Sequence, residues 1–445
     1  MTRVPRLCWL LPAVPFVYLA VILWLQPADH LGWGPDKAPW LGRLVYDDFD
    51  VTAYAVRGLN AHAGRTPGLE EEPSCYLATA LDDPGRSLRE RYYLEYPVPA
   101  LLLFRLGWDW QSDPQAPAAL HDAAYHAVVL HVPRDGTEGR LWSQVRRATQ
   151  TYLILMAGCC AALMAVLLVG YERGGGLAGG AFLLALPAAL YFGLNRFDLL
   201  PALLTALSLA ALGRRWVIAS AVLLAAAAAV KVYPALLAPL ILRYLWADGR
   251  AAAAWVTAFA AAGAAVVLPS LFVFGWEAVW APYRFQLARW PSPPTAYGYV
   301  LPDSLGKDDL RGHLFRQGAL ALGLLLLLWW RPADLAALLR RGALLLILVV
   351  TLPVFYSPQW LLWLVPLLAP LTRQQWPVLA LAVALDAVTY LTFPVVLGIR
   401  NDDQYLGSLR APLSEMYDTW LTPCASFAQL ERVWWSSLHQ RMPLC

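Results

Sequence analysis

The stretch from Asn195 to Pro234 reads NRFDLLPALLTALSLAALGRRWVIASAVLLAAAAAVKVYP, and its reading decides the rest of the chain. It holds two apolar runs, 198 to 213 and 216 to 230. Both are shorter than the ~20 residues of a straight membrane crossing, so their ends must extend into the flanking polar residues. The joints differ in kind. Arg214 and Arg215, between the runs, are simple basic anchors, whereas the outer joints, Asn195-Arg196-Phe197-Asp198 and Lys231-Val232-Tyr233-Pro234, mix acid, base and phenol. A chain crossing a membrane twice here places both mixed joints on one side and the arginine pair on the other.

The composition supports a membrane setting. Of 445 residues 59% are hydrophobic and 15% charged, and the mean hydropathy is +0.48, far from a soluble composition. A net charge of +3 gives no case for nucleic acid as a partner. The six cysteines show no C-x-x-C spacing, and no cluster has metal-ligand spacing, so neither a metal nor another cofactor is expected.

The first apolar run, Leu7 to Leu25, follows Arg3 and Arg6, is longer than a signal h-region and precedes no A-x-A-like site; it reads as a retained signal anchor with a cytosolic N-terminus. Further runs lie at 148–169, 176–194, 198–213, 216–230, 233–247, 251–274, 317–330, 342–356, 360–371 and 375–397, giving about 11 transmembrane helices. The expected fold class is an all-α polytopic membrane protein. Its parts are the anchor 1–25, a long first extracytoplasmic loop 26–147, a bundle 148–397 with a second outer loop 275–316, and an extracytoplasmic tail 398–445. Many of the 21 tryptophans stand near span ends, as an interfacial aromatic belt requires. Counting short connections and the loop 275–316, eleven Lys and Arg fall inside against seven outside, which favours this orientation.

The segment Tyr96 to Gly107 (YPVPALLLFRLG) is too short to cross and reads as an interfacial or re-entrant piece packed on protein. With it kept on one side, five polar joints face outward: Asp47-Asp48-Phe49-Asp50, Tyr96-Pro97, Asn195 to Asp198, Lys231 to Pro234, and Tyr356-Ser357-Pro358-Gln359. Ionisable groups at membrane depth are costly and line cavities, so their convergence implies an outward polar pocket suited to a lipid-borne substrate.

Each group also has a plainer reading. DDFD can be a solvated turn, although Asp50 and Tyr54 are four apart with Arg57 three later, which puts carboxylate, phenol and guanidinium on one helical face. Lys231 can snorkel to the interface or hold a phosphate. Arg196 and Asp198 can close a local salt bridge. Asp386, inside the last run, can line the cavity or pair with an arginine on a neighbouring helix. In the loop 275–316, Trp276, Trp280, Tyr283, Arg284, Phe285, Arg289 and Trp290 read as an amphipathic interfacial helix. Lys307, Arg311, His313 and Arg316 form a basic cluster open to a lipid phosphate or to solvent.

Taken together, Asp50-Val-Thr-Ala-Tyr54, Tyr96-Pro97, Arg196-Phe197-Asp198-Leu-Leu-Pro, Lys231-Val-Tyr233-Pro234 and Ser357-Pro358-Gln359-Trp360-Leu-Leu-Trp resemble the GT-C superfamily of membrane glycosyltransferases, most closely glycosyltransferase family 87. The likeness covers about 48 to 371. It departs from the family where Tyr96-Pro97-Val98-Pro99 replaces Tyr-Pro-Pro, and in the long insertion 108–146.

The resemblance implies a GT-C-like fold in the cell membrane with an extracytoplasmic active site. It implies inverting transfer of a hexose, mannose in that family, from a polyprenyl-phosphate sugar to a glycan or glycolipid acceptor. Asp50, with Asp48 as runner-up, is then the general base. Lys231, Arg311 and Arg196 hold the donor phosphate, and Tyr54, Tyr96, Asp198, Tyr233, His313, Tyr356 and Gln359 line the pocket. Two other classes stay open. A lipid-linked-sugar flippase would need a polar path through both leaflets, and an O-antigen ligase or polymerase would not require the early Asp.

Overall fold

The computed structural model describes residues 6–25, 97–100, 139–171, 178–287, 310–352, 357–372 and 376–392. Among them every element is helical and no strand occurs. A 3-10 turn (Arg6–Ala13) leads into α1 (Val14–Leu25), followed by α2 (Gly139–Val169), the single turn α3 (Ala178–Ala181), α4 (Pro187–Asn195), α5 (Leu199–Gly213) and α6 (Val217–Val230). After a 3-10 turn at Tyr233–Leu237 come α7 (Ala238–Leu245), α8 (Gly249–Leu287), α9 (Leu310–Trp329) and α10 (Leu335–Thr351). A 3-10 turn at Pro358–Trp360 opens α11 (Leu361–Leu368), and α12 is Trp376–Tyr390.

The centre is α2. Leu153, Met156, Cys160, Leu163 and Leu167, spaced alternately three and four apart, are at most 1% exposed, the stripe that a helix buries against neighbours. Around it α5 and α6 form an antiparallel hairpin, α6 packs on α8, α11 lies between α5 and α10, and α12 rests on α4. Helix contact leans on small residues and a few internal polar clips. Ser208 Oγ donates to the Ser220 carbonyl at 2.8 Å, and Trp255 Nε1 donates to Ser220 Oγ at 3.3 Å, so α5, α6 and α8 share one seryl group.

The turn at Arg214-Arg215 is a C-terminal helix cap. The Trp216 amide donates to Ala211 O at 2.8 Å and the Arg215 amide to Leu212 O at 3.0 Å, the paired bonds of a Schellman motif. Arg215 takes the left-handed position, φ 64°, that glycine usually fills. Beside it the Arg214 guanidinium donates to the carbonyls of Gly170 (2.9 Å) and Tyr171 (3.2 Å) and so caps the end of α2. Gly213 makes this approach feasible, since a Cβ there would lie 2.4 Å from Tyr171 O. Arg243 and Arg341 close α9 in the same manner on the carbonyls of Leu328 (3.0 Å) and Leu327 (2.9 Å).

The outer surface is apolar: Phe272, Leu322, Leu325, Leu326, Ile218 and Trp329 stand exposed. Among the described residues two helices can cross a membrane by length and composition, Gln150–Val169 within α2 and Gly249–Phe272 within α8, and a third if α4 and α5 count as one bent span. Shorter apolar helices occupy Cys8–Trp24, Val217–Val230, Tyr233–Leu245, Leu314–Trp329, Pro358–Leu368 and Trp376–Tyr390. These lengths fit a membrane protein. The amphipathic helix expected after residue 275 is not a separate element up to Leu287. α8 runs for 39 residues through Gly275, which costs a helix only about 1 kcal/mol, and it also accommodates Pro269 and Pro282 in its interior.

Candidate functional site

α4 and α5 meet at 109° around Asn195-Arg196-Phe197-Asp198. The bend is local. Arg196 leaves the helix with an extended backbone, its amide still bonded to Phe192 O at 2.9 Å, and the new helix begins after Asp198. Because α5 and α6 are antiparallel, the start of α5 lies beside the end of α6, where Lys231 is the C-terminal cap residue. The 3-10 turn Pro358–Trp360 packs on α4 and brings α11 to the same place.

Three of the expected polar joints therefore converge at one end of the bundle. The Lys231 ammonium contacts Asp198 Oδ1 at 2.6 Å, with the carboxylate fully buried and the lysine side chain 13% exposed. Trp363 Nε1 donates to the same oxygen at 2.5 Å. Lys231 Nζ also stands 4.8 Å from the Phe197 ring centroid and 5.3 Å from that of Trp363, so the ammonium has an anion on one side and π faces on others. Tyr233 stacks on Trp363 at 4.3 Å and 6°, and Trp360 stacks on Trp363 at 4.9 Å. Gln359 is buried and takes a short hydrogen bond from Ser357.

Asp198 thus binds a residue 33 positions away rather than Arg196 two positions back, and its Oδ2 has no hydrogen-bond partner among the described residues. Asp386 pairs with no arginine among the described residues. Its carboxylate accepts from the amides of Ala188 (3.1 Å) and Ala189 (2.9 Å) in the first turn of α4.

Of the expected site residues, Arg196, Asp198, Lys231, Tyr233 and Gln359 are gathered around this break. Arg311 and His313 lie in the first turn of α9, and Arg316, one turn later, is buried. Asp48, Asp50, Tyr54, Tyr96 and Tyr356 lie outside the described residues, as do Asp47, Arg57 and Lys307. Asn195, Phe197, Trp360 and Trp363 stand at this break without having been expected as site residues. All four lie within the quoted motifs, but none is ionisable and a search for charges passes over them. Among the described residues no three His, Cys, Asp or Glu side chains group as a metal site.

The arrangement can present a fixed cation beside a carboxylate with an open oxygen, walled by aromatic rings. No protein-family model and no curated protein matches the chain.

Proposed function

We propose that the chain is a polytopic membrane glycosyltransferase of about eleven spans and GT-C-like fold, with its N-terminus cytosolic and its site extracytoplasmic. It transfers a hexose, taken as mannose, from a polyprenyl-phosphate sugar to a glycan or glycolipid acceptor with inversion. The observation that supports this is the Lys231–Asp198 pair at the helix break. A buried ion pair is expensive in an apolar bundle and stabilises a fold poorly, so it is a functional-site hypothesis by default.

In this reading Asp50 takes the proton of the acceptor hydroxyl as the acceptor oxygen bonds to the anomeric carbon. The bond from that carbon to the phosphate oxygen breaks, and its electron pair stays on the phosphate. Lys231, Arg196 and Arg311 hold the developing charge. Asp198 keeps the ammonium directed, which an exposed, flexible lysine lacks.

The test is transfer itself. Membranes holding the wild type are given radiolabelled polyprenyl-phosphate mannose, and label should move to an acceptor; with Asp50→Asn it should stay on the lipid. A second reading, a carrier for lipid-linked sugars, draws on the 109° break between α4 and α5, since transporters build sites from discontinuous helices. Label that crosses the bilayer still lipid-linked, equally in both proteins, would select the carrier and reject the transferase.

A further inference from the structure

Asn195 ends α4 and is buried there, 2% exposed. Among the described residues neither its Oδ1 nor its Nδ2 has a hydrogen-bond partner, and Asp198 Oδ2, three residues on, has none either. A carboxamide offers two donors and two acceptor lone pairs. Leaving such a group buried and unpaired forfeits its hydration without replacing it, and a leucine of similar size would avoid that loss. A residue that lowers stability in this way, beside a buried ion pair at a helix break, belongs to a site whose partner comes from outside.

The chemistry of the open valences narrows that partner. Asp198 Oδ2 only accepts, so it repels a phosphate and needs donors. A metal ion is disfavoured, since the Lys231 ammonium already sits 2.6 Å from the other oxygen of the same carboxylate. Neighbouring sugar hydroxyls donate and accept at once, matching a carboxylate next to a carboxamide. We infer that the break between α4 and α5 is a hexose-binding subsite, in which Asn195 and Asp198 Oδ2 hold hydroxyls of the transferred sugar. This rests on the glycosyltransferase reading above and divides the cluster into a phosphate side at Lys231 and a sugar side at Asn195.

The test compares two lipids on purified protein in nanodiscs: a polyprenyl phosphate and the same lipid bearing mannose. Asn195→Leu should leave the affinity for the bare phosphate unchanged. It should weaken the mannosyl lipid by about 10- to 100-fold, as expected for one or two lost hydrogen bonds at 1.4 kcal/mol per tenfold. Its thermal midpoint should equal or exceed that of the wild type. Equal loss for both lipids, no loss for either, or a lowered midpoint would each overturn the subsite, the last by showing that the amide serves the fold. Wild type that binds neither lipid would instead reject the glycosyltransferase reading, and the subsite with it.

Discussion

Asp386 in α12 accepts the amide hydrogen of Ala189 in α4 at 2.9 Å, so the carboxylate of one apolar helix caps the first turn of another. α4 has no side-chain cap of its own; its N-cap residue is Leu186 and its first position Pro187. A helix start leaves amide groups without partners, and an anion there also meets the positive end of the helix dipole. The approach of α12 is therefore part of what makes α4 a helix, and α4 carries Asn195 to the break.

Replacing this acid should act on stability first. Asp386→Leu strands two buried amides and should cost about 1–3 kcal/mol, while Asp386→Asn keeps one acceptor and should fall between. Denaturant titration of the purified protein reads the order, and an Asp386→Leu variant as stable as wild type would contradict the cap.

The ion pair at the break makes a different forecast. Lys231→Met leaves a buried carboxylate uncompensated and should destabilise by about 3–5 kcal/mol. Adding Asp198→Asn removes that charge while keeping an acceptor for Trp363, so most of the stability should return. Donor binding should not return in the double variant, and Lys231→Arg alone should keep part of it. If binding recovers together with stability, Lys231 acts only through the fold.

Arg215 offers a gain. Its left-handed φ of 64° costs a non-glycine residue roughly 1–2 kcal/mol, and a glycine meets the same Schellman geometry without that strain. Arg215→Gly should raise the unfolding midpoint, whereas a clear fall would mean that the guanidinium itself stabilises this turn.

The acids of the first loop are separated by kinetics. Asp50→Asn should reduce transfer by at least ~100-fold with donor binding retained, and Asp47→Asn and Asp48→Asn by much less. A dead Asp48→Asn beside an active Asp50→Asn would move the base by two residues, and three active variants would remove the enzymatic reading.

Much of the site's placement was legible because helix direction alternates along the chain. Asn195 to Asp198, Lys231 to Pro234 and the run ending at Trp363 share one end for that reason. What could not be read was pairing. Charge patterns gave Asp198 a neighbour in Arg196, yet a lysine 33 residues later reaches it, since the hairpin of α5 and α6 brings that cap alongside. Asp386 was assigned a cavity or an arginine because sequence displays charged partners and hides backbone amides. Arg215 carries no sequence mark of its left-handed turn, as glycine would.

The length of α8 bears on how anything nears the break. Its apolar span, Gly249–Phe272, is already long enough for the membrane, and residues 273–287 add about 22 Å at ~1.5 Å per residue. α8 packs on α6 and runs the same way, since Trp255 meets Ser220 near the start of each, so this extension continues towards the end where Lys231 and Asp198 lie. Trp276, Trp280 and Tyr283 stack along it at 6.1 and 5.7 Å. On the proposed reading the approach is therefore lopsided, since a long-chain lipid sliding in the plane of the bilayer would meet this column of rings before it reached the break from that side.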